Sequence, residues 1–220
     1  MFTGIIEASG KIAEIKQQGG DWRIRVNVGS LDMADVQLGD SIANDGICLT
    51  VVQFDQHSIV MDVSAETLSK TTLGSFTVGR QVNLEKALTP TTRLGGHLVS
   101  GHVDGVGAIE SREHIGDSIH FRVRVPDELA KYIAHKGSVC VDGVSLTVNA
   151  VDGAIFDLNI IPHTADITTI GEYQAGRKVN IEVDLIARYL ERLLLGNKAA
   201  EPKASDTINM AFLAENGFLK

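Results

Sequence analysis

Apolar and polar residues alternate with a period of two along much of the chain. Trp22, Ile24, Val26 and Val28 alternate with Arg23, Arg25 and Asn27, and Ile119, Phe121, Val123 and Val125 alternate with His120, Arg122 and Arg124. One apolar face at that period predicts a half-buried strand in each place. From 41 to 54 and from 138 to 151, two β-rich runs flank Asp45-Gly46 and Asp142-Gly143, dipeptides that suit a hairpin turn or a bulge. Further short strands read at 58–63, 154–161, 81–88 and 178–183, with glycines between them. Short helical pieces are predicted at 126–135, where Pro126 suits a first turn and Gly137 a C-cap, and just before Gly74 and Gly171.

The pattern is written twice. Gly4, Gly10, Ile12, Asp45, Gly46, Leu49, Thr50, Val51 and Asp55 recur as Gly101, Gly107, Ile109, Asp142, Gly143, Leu146, Thr147, Val148 and Asp152, always 97 positions on (101 − 4). The register continues through Thr67/Thr164, Thr71/Thr168, Gly74/Gly171, Arg80/Arg177, Asn83/Asn180 and Glu85/Glu182. Two duplicated modules of about 90 residues follow, each long enough for a modest core. About six strands per module close most simply into a small barrel, which removes the sheet edges. A site drawing on both modules would be nearly two-fold symmetric and would suit two copies of one small molecule.

A third zone departs from the repeat. Asp184 is a natural N-cap, Ile186, Leu190, Leu193 and Leu194 share one helical face, and Gly196 ends the helix. The stripe has two readings: ordinary core, or a surface for self-association, since two closed barrels leave a lone helix little to pack on. A polar, alanine-rich stretch over 197–205 reads as a linker, and Asp206 is placed to cap a second short helix. The predicted domains are thus 1–97 and 98–184, two barrels, and 185–220, a C-terminal helix and tail.

Composition sets the surroundings. The formal charge is −8, with 20 basic against 28 acidic residues and no basic run, which argues against nucleic acid and anionic membrane as partners. No stretch approaches the roughly 20 apolar residues of a membrane helix, so a cytoplasmic protein is expected. Cys48 and Cys140 do not occupy equivalent repeat positions and offer neither a disulfide framework nor a metal spacing. No metal site and no cofactor are expected.

Four segments carry a resemblance. Met1-Phe2-Thr3-Gly4-Ile5 opens the chain, Gly46-Ile47-Cys48-Leu49-Thr50-Val51 follows the first turn, Gly95-Gly96-His97-Leu98-Val99-Ser100-Gly101-His102-Val103 joins the modules, and Asp142-Gly143-Val144-Ser145-Leu146-Thr147-Val148 repeats the turn. As a set, over residues 1–196, they resemble the riboflavin synthase family. The resemblance implies two tandem six-stranded Greek-key β-barrels with a C-terminal α-helix. It also implies a cofactor-free dismutation of two 6,7-dimethyl-8-ribityllumazine molecules, in which a four-carbon unit passes from one to the other to give riboflavin and a ribitylaminopyrimidinedione. A homotrimer with active sites between subunits, two substrates in each, is implied as well.

Carried over position by position, the resemblance assigns Gly4, Ile5, Ile6, Ser41, Cys48, Leu49, Thr50, Asp62, Val63, Ser64, Ala65, Glu66 and Thr67 to a first half-site. A second takes Gly101, His102, Val103, Lys136, Ser145, Leu146, Thr147, Asn159, Ile160, Ile161, Pro162, His163 and Thr164. His102, Cys48, Thr50, Thr147 and Ser145 are the catalytic candidates. A lumazine offers imide-like donors and acceptors to main chain at a strand end and a polyhydroxyl chain to Asp62, Ser64 and Glu66. Each residue also has a plainer reading: Cys48 as packing, the threonines as strand formers, Lys136 as a charged helix end, and His97 as ordering the inter-module link. A non-catalytic lumazine- or flavin-binding protein of the same fold is the alternative function.

Overall fold

The computed structural model describes residues 1–201, and its class is mainly β, two barrels in tandem. In the first module β1 (Ala8–Gln18), β2 (Asp21–Asn27), β3 (Ser41–Asn44), β4 (Ile47–Phe54), β5 (Ser58–Val63) and β6 (Gln81–Lys86) close a barrel in the order β1-β2-β5-β4-β3-β6, every neighbour antiparallel. The predicted alternation holds: Ile24, Val26 and Val28 are buried, together with Ile12, Ile42, Met61 and Leu84.

The second module repeats the order with one break. β7 (Gly105–Ile115), β8 (Ser118–Arg124), β9 (Ser138–Val141), β10 (Val144–Thr147), β11 (Ala150–Asp152), β12 (Ile155–Ile160) and β13 (Lys178–Val183) run β10-β9-β13-β7-β8-β12-β11. β10 and β11, the two ends of this sheet, are consecutive in the chain and together match the single strand β4, so the sheet curls toward closure. The break falls at Val148 and Asn149, where β4 carries a bulge between Val51 and Gln53. Val148 N–H donates to Gly137 and its carbonyl accepts from Lys136, as Val51 does with Asp40 and Gly39 in the first module, while Asn149 N–H donates to Asp157. Ile119, Phe121, Val123, Val125 and Tyr173 lie in this module's own core.

Helix is sparse. α1 (Ala65–Lys70) is capped by Ser64, whose Oγ accepts from Thr67 N–H at 3.2 Å, and α2 (Pro162–Ile167) starts on Pro162. The helical piece expected over 126–135 is a 3₁₀ turn, Asp127–Tyr132, held by bonds such as Leu129 N–H to the Pro126 carbonyl.

The modules meet back to back at their hairpin turns. A Cβ on Gly46 would fall 2.7 Å from Gly143 N, and one on Gly143 would fall 2.8 Å from Gly46 N, so only glycine allows this approach. Asn83 Nδ2 donates to the Asp142 carbonyl at 2.8 Å, and Asn180 Nδ2 to that of Asp45 at 2.9 Å. In return Thr169 N–H donates to Asn83 Oδ1 and Thr72 N–H to Asn180 Oδ1, both at 2.8 Å. Many identities of the repeat are therefore requirements of the joint.

Both turn aspartates are fully buried there. Asp45 accepts from Asn83 N–H and from Arg80 at 3.1 Å; Asp142 accepts from Asn180 N–H and from the Tyr173 hydroxyl, each at 2.6 Å. Arg177 lies flat on the Tyr173 ring, 3.9 Å from its centre. Burial, and next the charge of Asp45, push the Asp142 carboxyl up to about 7.

Residues Met1–Arg188 form one compact unit, and the chain from Tyr189 on is separate from it. α3 (Leu185–Leu194) begins where Asp184 Oδ1 accepts from Ile186 N–H at 2.9 Å. Its predicted apolar stripe, Ile186, Leu190, Leu193 and Leu194, is exposed. The short helix expected from Asp206 lies outside the described residues. Among the described residues no helix is long and apolar enough to cross a membrane.

Candidate active site

Ahead of each barrel runs an arm, residues 1–6 and 98–103. The arms pair with each other at Phe2 and Val99, which are equivalent in the repeat: Phe2 N–H donates to Val99 at 2.7 Å and Val99 N–H to Phe2 at 3.1 Å. The pseudo-two-fold axis passes between them. Past the axis each arm reaches the other module's hairpin. The Gly101 carbonyl accepts from Cys48 N–H at 2.9 Å, and the Gly4 carbonyl from Ser145 N–H at 2.8 Å. Val103 packs on the core of the first barrel, and Gly143 approaches the Ile6 side chain.

This exchange changes the expected grouping. Gly101, His102 and Val103 join Cys48 and α1, whereas Gly4 joins Ser145 and Ile6 approaches Gly143; Ile5 lines a cavity with Thr3, Glu7, Glu85 and Lys86. The reason is geometric: both hairpin turns lie at the joint, so the start of β4 or β10 is within reach of the opposite arm.

The first half-site is a cavity of about 240 Å³ lined by Ile47, Cys48, Glu66, Thr67, Lys70, Thr71, Gly101, His102 and Val103. Lys70 and Thr71 were missed in the sequence, although each lies four residues beyond an assigned one, Glu66 and Thr67, on the same face of a helical segment. Cys48 is half-buried and His102 exposed, whereas Cys140 is sealed in the joint, where burial pushes its thiol well up. Of the two thiols only Cys48 can meet a ligand. Leu49 and Val63 face the core, so they offer main chain rather than side chain. Ser41 faces Thr50 across the β3–β4 ladder. Asp62 is engaged by Arg23 at 2.6 and 2.9 Å, and this bond lowers its pKa from the ordinary carboxylate value. Ala65 N–H donates to Asp21.

In the second half-site Ser145 Oγ and His97 Nδ1 lie 2.7 Å apart. Burial lowers the His97 pKa and favours the neutral ring. Its Nε2 is buried without a partner among the described residues. The contact ties the inter-module link to Ser145, across 48 positions of chain. Lys136 stands at φ +62, where the first module has Gly39 at φ +92. A left-handed backbone costs a non-glycine residue about 1–2 kcal/mol, a cost that glycine avoids at the matching position. Thr147 is exposed and Leu146 half-buried at the end of β10; Asn159, Ile161, Pro162 and His163 are exposed, Thr164 is half-buried and Ile160 faces the core.

The family described as lumazine binding domain matches residues 3–87 and again 100–184. A riboflavin synthase of Photobacterium phosphoreum is 54% identical over 219 residues, covering 100% of both chains. One from Bacillus subtilis (strain 168) is 43% identical over 218 residues, 99% of this chain and 100% of its own. Among solved structures, LumP complexed with riboflavin matches with a TM-score of 0.77 at 24% identity, covering 83% of this chain and 99% of that one. LumP complexed with 6,7-dimethyl-8-(1'-D-ribityl) lumazine matches with a TM-score of 0.75 at 23% identity, with the same coverage; both speak to the fold alone. Two lumazine-binding repeats, joined to these identities over the full length, place the chain in the riboflavin synthase family.

Proposed function

We propose that the chain converts two molecules of 6,7-dimethyl-8-ribityllumazine into riboflavin and 5-amino-6-(D-ribitylamino)uracil. The carrying observation is the pair of matched half-sites, each made of one barrel and the other module's arm, with different groups at matched positions. Cys48 and His102 meet in the first; Ser145 and His97 belong to the second, and Ile5 is the residue whose position matches His102.

Main chain at Leu49-Thr50 and Leu146-Thr147 pairs with the imide edge of each ring, while Glu66, Thr67 and Lys70 take the ribityl hydroxyls in the first half-site. His163 and Thr164 do so in the second. The substrate loses a proton from a ring methyl, and the heterocycle spreads the resulting anion, so donors around the ring contribute more than a strong base. Stacking two rings face to face supplies an effective molarity on the order of 10⁵–10⁸ M. The four-carbon unit then passes in one direction because the two half-sites differ.

The exposed stripe of α3 joins three copies, and the working site forms between a first half-site on one subunit and a second on its neighbour. The protein acts in the cytoplasm. The test is turnover by the purified chain with lumazine alone and a chelator present. Riboflavin formation supports the reading. Lumazine binding without riboflavin would assign the chain to the non-catalytic binders, and a rate that depends on added metal or nucleotide would overturn the mechanism.

A further inference from the structure

Two buried glutamates at equivalent positions grip the arms. Glu85 Oε1, on β6, accepts from Thr3 N–H at 2.6 Å and from the Thr3 hydroxyl at 2.7 Å, and Oε2 accepts from Gly4 N–H at 3.0 Å. Glu182, on β13, repeats this with Ser100 N–H at 2.6 Å, the Ser100 hydroxyl at 2.7 Å and Gly101 N–H at 2.9 Å. Each hydroxyl then accepts from the residue two further on, Ile5 N–H at 3.1 Å or His102 N–H at 3.2 Å. Three successive residues of each arm are thereby clamped to one carboxylate.

The clamp and the exchange act on the same peptides. Gly101 is held through its N–H by Glu182 of the second barrel and through its carbonyl by Cys48 of the first. Gly4 is held through its N–H by Glu85 of the first barrel and through its carbonyl by Ser145 of the second.

Among the described residues neither glutamate forms an ion pair, and both side chains are almost wholly buried. Burying a carboxylate without a cation is costly, and plain backbone pairing of the Phe2–Val99 kind would hold an arm without that cost. What a carboxylate adds is an acceptor with no donor, able to take three hydrogens on two oxygens in short, charge-assisted bonds. Such bonds fix position, and position is what a site that stacks two rings requires.

We propose that Glu182 and Glu85 are positioning residues, Glu182 setting His102 in the half-site built on the first barrel and Glu85 setting Ile5 in the half-site built on the second. The inference rests on the proposed dismutation. Each glutamate acts across the joint, on the half-site of the barrel it does not belong to.

A double-mutant cycle in the full-length chain tests this, with kcat, KM and thermal unfolding measured together. Glu182→Gln keeps the shape but turns an amide toward the N–H donors. Its kcat should fall at least tenfold, and that factor should shrink to under threefold on a His102→Ala background, because the side chain being positioned is gone. Glu85→Gln should keep its full effect on the same background. An equal Glu182→Gln factor on both backgrounds, or a fall in Tm with kcat unchanged, would overturn the proposal and leave a structural role. If Glu182→Gln does not fold, Ser100→Ala removes one donor of the clamp and enters the same cycle, with Thr3→Ala as its counterpart. If the wild-type chain makes no riboflavin, the dismutation reading has failed, and titration with riboflavin then judges the clamp. Loss of one of two binding phases in Glu182→Gln, and of the other in Glu85→Gln, supports it; two unchanged phases refute it.

Discussion

At the joint, residues 97 positions apart do the same work: Asn83 and Asn180 each donate to the opposite turn, Gly46 and Gly143 touch, and Glu85 and Glu182 hold equivalent arms. Around the half-sites the matched positions part company. Cys48 stands against Ser145, Ile5 against His102, and Gly39 against Lys136, while at the edge of the joint Phe76 stands against Tyr173. Gene duplication explains the similarity, but only the structure separates its two kinds. Many positions at the joint answer to the opposite module and stay identical, whereas several matched positions around the half-sites differ. In the proposed dismutation, that divergence is what would give two identical substrates the roles of donor and acceptor.

The joint is the place where the comparison breaks most completely. Gly46→Ala combines a left-handed φ of +77 with a Cβ 2.7 Å from Gly143 N, and should destabilise the chain by about 3 kcal/mol or more. Gly39→Ala has φ +92 but nothing within 4 Å, and should cost about 1–2 kcal/mol, so denaturant midpoints of the two variants separate the contact from the strain.

Next in size is the effect on assembly. Leu190→Glu with Leu194→Glu changes two exposed side chains and should leave each barrel folded, yet reduce the mass in light scattering to one chain and cut turnover at least tenfold. Unchanged mass would remove α3 from the interface.

A smaller effect distinguishes Tyr173 and its aspartate from the first module's Phe76. Asp142 is raised to about 7 when folded, against about 3.9 in an unfolded chain. Between those values the folded state holds the extra proton, so stability should fall as pH rises from about 4 to about 7 and level off above. Asp142→Asn imitates the protonated carboxyl, with an amide able to donate to the Tyr173 hydroxyl, and should remove the largest part of that slope. Urea midpoints across the pH range check it, and an unchanged slope would place the titrating group elsewhere.

Much of this was readable from the residues. Alternation at Ile24, Val26 and Ile119, Phe121 gave strands, Asp45-Gly46 and Asp142-Gly143 gave turns, and the constant spacing gave two modules. β1 and β7, the longest strands, went unnamed because Gly10 and Gly107 dilute their apolar faces. The exchange of arms was illegible for a deeper reason: swapping two equivalent segments between equivalent barrels leaves every residue with the same kind of neighbour, so no local pattern records it. The His97–Ser145 contact was hidden by chain separation. Identity at both copies of Asp45, Asn83 and their partners is explained by the joint.

The central claim is that difference between half-sites directs transfer between identical substrates. Single-turnover rates of His102→Ala and Ile5→Ala in the full-length chain measure it most directly, since the two residues occupy equivalent positions on the exchanged arms. A lost hydrogen bond is worth about 1–3 kcal/mol, so His102→Ala should slow the chemical step by up to roughly a hundredfold and Ile5→Ala by much less. Equal, small effects at the two positions would contradict the account.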